Sequence, residues 1–178
     1  MSFGVLTPEM RRIVQKHIQN KVVLDLGCGD SALSRVLLEE GARQILGVDK
    51  LPQAPISRLF EEGPGHLLYD VLFVSWPVNN YSSDFIPIWM GRASTVIYLG
   101  HNDDITCCGT PSLFWAFLHR EAISVVEHHE NDMLVLGASR CIPRAPTGVE
   151  RKMLMDNLHR LPAQCRVLVQ SSEVESAR

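Results

Sequence analysis

The chain has 178 residues, which is enough for one ordinary globular domain and short for two. Its formal net charge of -3 excludes an overall positive field for attracting nucleic acid, so no such partner is indicated. The five cysteines contain no C-x-x-C pair, and they predict neither a disulfide framework nor a zinc site. The sequence shows neither a signal-peptide pattern nor an apolar run of membrane-spanning length, which predicts a cytoplasmic protein with no membrane partner.

The N-terminal part of the chain predicts helix, strand, helix and strand, in that order. Thr7 and Pro8 suit the start of a helix, and Gly41 suits the end of one. A continuous apolar run interrupted by Asp25 is typical of a central parallel strand that is buried on both faces. The four predicted elements are helix 7–19, strand 22–26, helix 31–40 and strand 45–48, which Asp49 closes.

A stretch rich in proline and glycine follows at residues 51–65 and contains one short predicted helix over residues 56–62. The later predicted elements are strand 69–76, helix 85–92, strand 95–99, helix 111–120, strands 123–129 and 133–138 with a turn at Asn131 and Asp132, and helix 148–161 before a polar tail at 171–178. This alternation predicts an α/β fold in which a mostly parallel sheet carries helices on both faces. A C-terminal antiparallel hairpin closes one edge, and residues 1–178 are predicted to form one domain with its core at 21–138.

Two glycines after the first strand predict a loop for a nucleotide-type ligand. Glycine lets the backbone approach a ligand closely, and the next helix presents free N–H groups. The spacing Gly27-x-Gly29-x-x-Ala32 also satisfies a loose dinucleotide pattern, with Asp49 near the distance expected for a ribose-binding acid. The glycine spacing alone therefore leaves two classes of cofactor open.

Asp25 favours one of these classes. An ionised carboxylate inside a buried strand is costly unless something pairs with it. Two residues before Gly27, it would repel a pyrophosphate and attract a ligand that carries an ammonium and a sulfonium group. That ligand is S-adenosylmethionine.

The segment Asp-Leu-Gly-Cys-Gly-Asp-Ser at residues 25–31 resembles the first motif of class I S-adenosylmethionine-dependent methyltransferases, which have a Rossmann-like fold. The C-terminal hairpin resembles that fold's antiparallel last strand, so the likeness covers residues 21–138. It implies that Asp25 lies near the methionine amino group and that Asp49 binds the ribose hydroxyls. The cofactor-binding residues that it implies are Asp25, Leu26, Gly27, Cys28, Gly29, Asp49, Lys50 and Ser75.

The chain departs from the family pattern in two places. Ser31 stands where many members have a third glycine, although a small residue is compatible with that position. The interval between Asp49 and Asp70 is short, so the family's third strand is predicted to be shortened or missing. This departure leaves the usual adenine-binding acid without an assigned residue.

Candidates for the chemistry follow the next two strands, whose carboxyl ends border the ligand crevice in this kind of fold. Ser75 or Asn79 can orient the methyl acceptor and Trp76 can wall the site; the alternative is a strand end with a proline stop and a packed tryptophan. His101 can serve as a general base, and the alternative is a solvated polar turn. No metal site is predicted.

The sequence predicts an S-adenosylmethionine-dependent methyltransferase that acts by direct in-line transfer. The acceptor is either a small molecule or an exposed group on a macromolecule, and it is not identified by the sequence. A non-catalytic S-adenosylmethionine-binding or protein-interaction module of the same fold is the alternative. An NAD(P)-dependent oxidoreductase is a further one.

Overall fold

A computed structural model describes residues 5–78, 80–100, 108, 110, 113, 116, 117, 119–126, 132–138, 147–149 and 152. Two candidate site residues, Asn79 and His101, lie outside this part of the chain. The turn residue Asn131, nearly all of the predicted helix 148–161 and the tail 171–178 also lie outside it.

Seven strands within the described residues form one sheet, in the order β3-β2-β1-β4-β5-β7-β6. The strands are β1 (Val22–Leu26), β2 (Gln44–Asp49), β3 (Ile56–Ser57), β4 (Val71–Ser75), β5 (Thr95–Gly100), β6 (Ala122–Val126) and β7 (Asp132–Leu136). The first five pair in parallel, whereas β7 is antiparallel to both β5 and β6. The predicted α/β class, with its C-terminal antiparallel hairpin, is confirmed.

The helices α1 (Pro8–Ile18), α2 (Ala32–Glu39) and α3 (Ile86–Met90) confirm three of the predicted helices. At the start of α1, the hydroxyl of Thr7 accepts a hydrogen bond of 3.2 Å from the backbone N–H of Met10, as its capping role predicts. The described part of predicted helix 111–120 is helical at residues 113, 116 and 117. No helix in the described part of the chain is long and apolar enough to cross a membrane.

Apolar side chains cover both faces of the sheet. On one face, Val14 of α1 and Leu37 of α2 pack in a cluster with alternate strand residues such as Val23. On the other face, Trp89 of α3 packs in a second cluster that includes Leu24. Neighbouring residues of β1 thus enter opposite cores, which explains why this strand is apolar on both sides.

The segment 56–62 differs from its prediction as one short helix. Its first two residues form β3, because Ile56 and Ser57 pair in parallel with the end of β2. A 3-10 turn, Phe60–Glu62, follows and ends at Gly63, whose φ of +66° suits glycine. The third strand is therefore present and shortened to two residues, as the short interval in the sequence predicts.

Candidate cofactor and active site

A pocket of about 210 Å³ opens at the carboxyl ends of the central parallel strands. Leu26, Asp49 and Ser75, which end β1, β2 and β4, all line it. Ligands of open α/β sheets bind at this edge, beyond the carboxyl ends of the strands. The sheet thus brings together three residues that are distant in the sequence.

The glycine loop after β1 turns back onto the end of β2. Gly27 and Gly29 adopt φ values of +80° and +51°, which glycine accepts without a steric penalty. The N–H of Gly27 donates to the carbonyl of Val48 at 2.7 Å, and the N–H of Gly29 donates to a carboxylate oxygen of Asp49 at 3.0 Å. Gly27 lines the pocket, whereas Gly29 does not.

Ser31, at the position of the family's third glycine, also adopts a left-handed conformation, with φ +61°. It precedes α2, and its side chain makes no capping hydrogen bond. The carboxylate of Asp30 instead accepts from the N–H of Ala32 at 3.0 Å. The backbone here keeps the shape that suits glycine although the residue is serine.

Asp49 both holds the loop and faces the pocket. One of its oxygens accepts from Gly29, and the other accepts from the N–H of Leu51 at 3.2 Å. Each carboxylate oxygen can accept a further hydrogen bond, so Asp49 retains capacity for a ligand's hydroxyl groups. Next to it, the exposed Lys50 also lines the pocket.

Asp25 lies beside the pocket and is not part of its lining. One oxygen accepts a hydrogen bond of 2.5 Å from the hydroxyl of Ser34 in α2, and the other has no hydrogen-bond partner among the described residues. Burial raises the pKa of this carboxyl to about 6, the hydrogen bond from Ser34 opposes the rise, and the charge of Asp49 adds to it.

Cys28 is buried and also lies outside the pocket lining. Its sulfur would lie 3.2 Å from a Cβ added at Gly47, so the side chain is directed at β2. Burial, followed by the charge of Asp25, raises the pKa of the thiol to about 11, which keeps it neutral at physiological pH. The side chain therefore fills the space between loop and sheet.

Ser75 and Trp76 bring the end of β4 to the pocket, which both residues line. Trp76 has a φ of +50°, which is a genuine outlier for a residue with a bulky side chain. Its backbone N–H donates to the backbone carbonyl of Leu99 at 2.7 Å. Such conformations persist where surrounding structure imposes them, and they cluster at functional sites.

The sequence did not predict that Leu59, Phe60 and Glu61 line the pocket. They lie at the 3-10 turn after β3, and the indole N–H of Trp89 fixes that turn by donating to the carbonyl of Phe60 at 2.9 Å. The ring of Phe60 would be 3.6 Å from a Cβ added at Gly27, so the turn closes over the glycine loop. No motif in the sequence signals this contact, because it depends on how short β3 is.

No group of three or more histidine, cysteine or acidic residues that could hold a metal ion occurs among the residues that the structure describes.

No protein-family model and no curated protein sequence matches the chain. Solved structures do match it. Ribosomal protein L11 methylase from Lactobacillus delbrueckii subsp. bulgaricus is 14% identical with a TM-score of 0.56, over 79% of this chain and 82% of that one. The 23S rRNA methyltransferase ErmE is 14% identical with a TM-score of 0.52, over 88% of this chain and 77% of that one.

A precorrin-6y C5,15-methyltransferase from Geobacter metallireducens is likewise 14% identical, with a TM-score of 0.51, over 78% of this chain and 94% of that one. The sheet order found here, with its antiparallel β7, is typical of the same fold. The chain therefore has the fold of class I S-adenosylmethionine-dependent methyltransferases. The names of these three structures refer to a protein, an RNA and a small molecule, so the fold does not specify the acceptor.

Proposed function

We propose that the protein is an S-adenosylmethionine-dependent methyltransferase that transfers the methyl group directly to an acceptor held at the end of β4. One observation carries the proposal: a single pocket joins the glycine loop, Asp49 and the β4 end in a sheet of methyltransferase order. A cytoplasmic location stays a prediction from the sequence.

The residues around the loop fit a ligand with a positive charge and a ribose. Asp25 leaves one buried oxygen without a partner among the described residues, which favours a cationic group nearby. Asp49 has acceptor capacity for ribose hydroxyls, and glycine at position 27 leaves room beside the Phe60 ring. The Asp25 carboxyl beside the loop disfavours a pyrophosphate and so argues against NAD(P).

The turn after β3 supplies the adenine-binding wall in this proposal. Leu59 and Phe60 offer apolar surface to a flat base, and the Glu61 carboxylate can accept a hydrogen bond from its amino group. The turn directly follows a strand of only two residues, so it lies close to the glycine loop. The acid that the shortened strand left unassigned is thus proposed to be Glu61.

When bound, S-adenosylmethionine supplies a methyl group on a sulfonium: the acceptor's nucleophilic atom bonds to the carbon and loses a proton, while the electron pair of the broken S–C bond stays on sulfur. The protein's part is to position the acceptor and exclude water, which supplies much of the rate. Ser75 is proposed to orient the acceptor and Trp76 to wall the site. Asn79 and His101 remain candidates for orienting the acceptor and for accepting its proton.

Calorimetry with S-adenosylmethionine and with NAD tests the proposal. Asp49→Ala and Gly27→Val are each expected to weaken S-adenosylmethionine binding by about tenfold or more, through lost ribose contacts and through a side chain at left-handed φ beside Phe60. Glu39→Ala, an exposed acid at the end of α2, is the matched control and should leave binding unchanged. Unchanged binding in both site variants, or tight NAD binding, would contradict the assignment.

A non-catalytic S-adenosylmethionine-binding module is the second candidate. The two-residue β3 favours it, because this strand departs from the family pattern near the site. Binding of the cofactor without turnover, across a broad acceptor screen, would support this alternative against the enzyme.

A further inference from the structure

The opening of the pocket carries exposed apolar side chains. Leu59 and Val78 line the pocket and are 47% and 55% exposed, and Tyr81, next to the lining residues Asn80 and Ser82, is 67% exposed. We call the two that follow β4, Val78 and Tyr81, the apolar rim, because Leu59 lies on the side proposed for adenine. Large apolar groups grouped at one opening cost free energy in water and mark a surface that contacts a ligand.

Hydrogen bonds hold the segment that carries the apolar rim in a defined shape. The side-chain carbonyl of Asn80 accepts from the N–H of Ser82 at 3.0 Å, and the backbone carbonyl of Asn80 accepts from the N–H of Ser83 at 3.0 Å. The hydroxyl of Ser83 donates to the carbonyl of Val78. The ring of Tyr81 packs edge-on against Phe85, with centroids 4.9 Å apart. A contact surface that is already formed loses little conformational freedom on binding.

The charges at the described pocket lining disfavour an anionic occupant. Its charged residues, Asp49, Lys50 and Glu61, lie on the side proposed for the cofactor, and none of the described lining residues on the β4 side is charged. Nearby, the guanidinium of Arg58 is directed into its own loop, where it donates to the carbonyls of Gly63 and Pro64 at 3.2 and 2.9 Å. A nucleic acid needs several cations to replace its counterions, and this lining does not provide them.

We propose that the apolar rim and Trp76 receive the methyl acceptor as the flat, uncharged aromatic ring of a small molecule. The inference rests on the proposed function, in which the cofactor occupies the β1 and β2 side of the pocket and leaves the β4 side to the acceptor. Aromatic rings bind flat rings through stacked or edge contacts and do so without a charge on either partner. Equal or tighter binding of a short peptide, a carboxylate or an oligonucleotide in the test below would contradict the proposal.

Ligand-observed NMR and calorimetry on the full chain saturated with S-adenosylhomocysteine test the inference. The probes are isoquinolin-1-one, its ring-saturated octahydro analogue, naphthalene-2-carboxylate, a neutral capped tetra-alanine peptide and a uridine hexanucleotide. We expect isoquinolin-1-one to bind about tenfold more tightly than each of the other four. Tyr81→Ala and Val78→Ser should each weaken its binding about fivefold.

Leu68→Ala is the matched control, because Leu68 is 79% exposed but precedes the amino end of β4, away from the pocket. The Leu68→Ala variant should bind isoquinolin-1-one as tightly as the unchanged protein does. Thermal unfolding should show that all three variants are folded. Failure to bind S-adenosylhomocysteine would overturn the proposed function and the inference with it. Binding of S-adenosylhomocysteine without preference for the flat neutral ring, or with equal losses in the Leu68 variant, would overturn the inference alone.

Discussion

At the residue scale, Asp25 is a carboxyl group enclosed in the centre of the sheet, and its burial makes stability depend on pH. Its pKa rises from 3.8 to about 6 on folding. Below about pH 3 the group is largely protonated in both states. Between pH 4 and 6 the unfolded chain releases the proton while the folded chain keeps it, so the free energy of unfolding falls as pH rises.

We therefore expect the stability difference between the protein and its Asp25→Asn variant to shift by about 2 kcal/mol between pH 4 and pH 7, in the direction that disfavours Asp25 at the higher pH. Urea unfolding at closely spaced pH values measures this difference. Ser34→Ala is the matched comparison, because it removes the hydrogen bond that opposes the raised pKa and should extend the decline to higher pH. A difference that does not change with pH would mean that Asp25 titrates as it does in the unfolded chain.

Strand alternation explains why Asp25, which the sequence predicts to bind the cofactor, lies beside the pocket and not in its lining. Residues of one strand alternate between the two faces of the sheet, so Leu26 lines the pocket while Asp25 is directed at Ser34 in α2. The charge of Asp25 acts on a ligand at the loop without direct contact, and the sequence pattern alone does not specify its bond to Ser34.

At the element scale, strong local patterns in the sequence predict most of the strands and helices. The short strand β3 depends instead on its pairing with β2. Capping residues, glycines and apolar runs gave α1, β1, α2 and β2 to within two residues. β3 has two residues, too few for any periodicity, and it forms only because β2 offers a free edge. The sequence therefore predicts a helix where this turn lies, and it does not indicate the pocket residues Leu59, Phe60 and Glu61.

That turn depends on one buried side chain from another element. Trp89 of α3 is fully buried and donates to the Phe60 carbonyl. Trp89→Phe should lower the free energy of unfolding by about 2 to 3 kcal/mol, from lost volume and one lost hydrogen bond, and should weaken S-adenosylmethionine binding severalfold because the pocket wall loosens. Chemical unfolding and calorimetry measure the two effects.

Tyr69→Phe separates the effect on the turn from general destabilisation. The Tyr69 hydroxyl donates to the backbone carbonyl of Trp89 at 2.6 Å, in the same cluster, whereas the bond to the turn comes from the Trp89 indole. Its loss should cost about 1 kcal/mol and leave cofactor affinity unchanged. Equal loss of affinity in the two variants would show that the Trp89 bond has no special role in shaping the pocket.

At the scale of the whole molecule, the parallel half of the sheet carries the pocket and the antiparallel hairpin closes the other edge. Arg120 joins these parts and is 7% exposed. Its guanidinium donates to the carbonyl of Gly137 after β7, and to the carbonyls of Met90 and Ala93 at and beyond the end of α3. The sequence did not indicate this role, because a single arginine at the end of a predicted helix is ordinarily solvated.

Burial lowers the pKa of Arg120 to about 10, which still leaves it charged at neutral pH. Arg120→Met should lower the free energy of unfolding by about 3 to 5 kcal/mol, because three carbonyls each lose a hydrogen bond at once and a buried side chain is replaced. Denaturant unfolding measures the loss, and Arg35→Met, on the exposed face of α2, should change stability by less than about 0.5 kcal/mol. The stability loss of Arg120→Lys should fall between those of Arg120→Met and Arg35→Met, since an ammonium cannot match the guanidinium's fixed fork of donors. A loss no larger than that of the Arg35 variant would mean that the hairpin is held to the sheet by strand pairing and apolar packing alone.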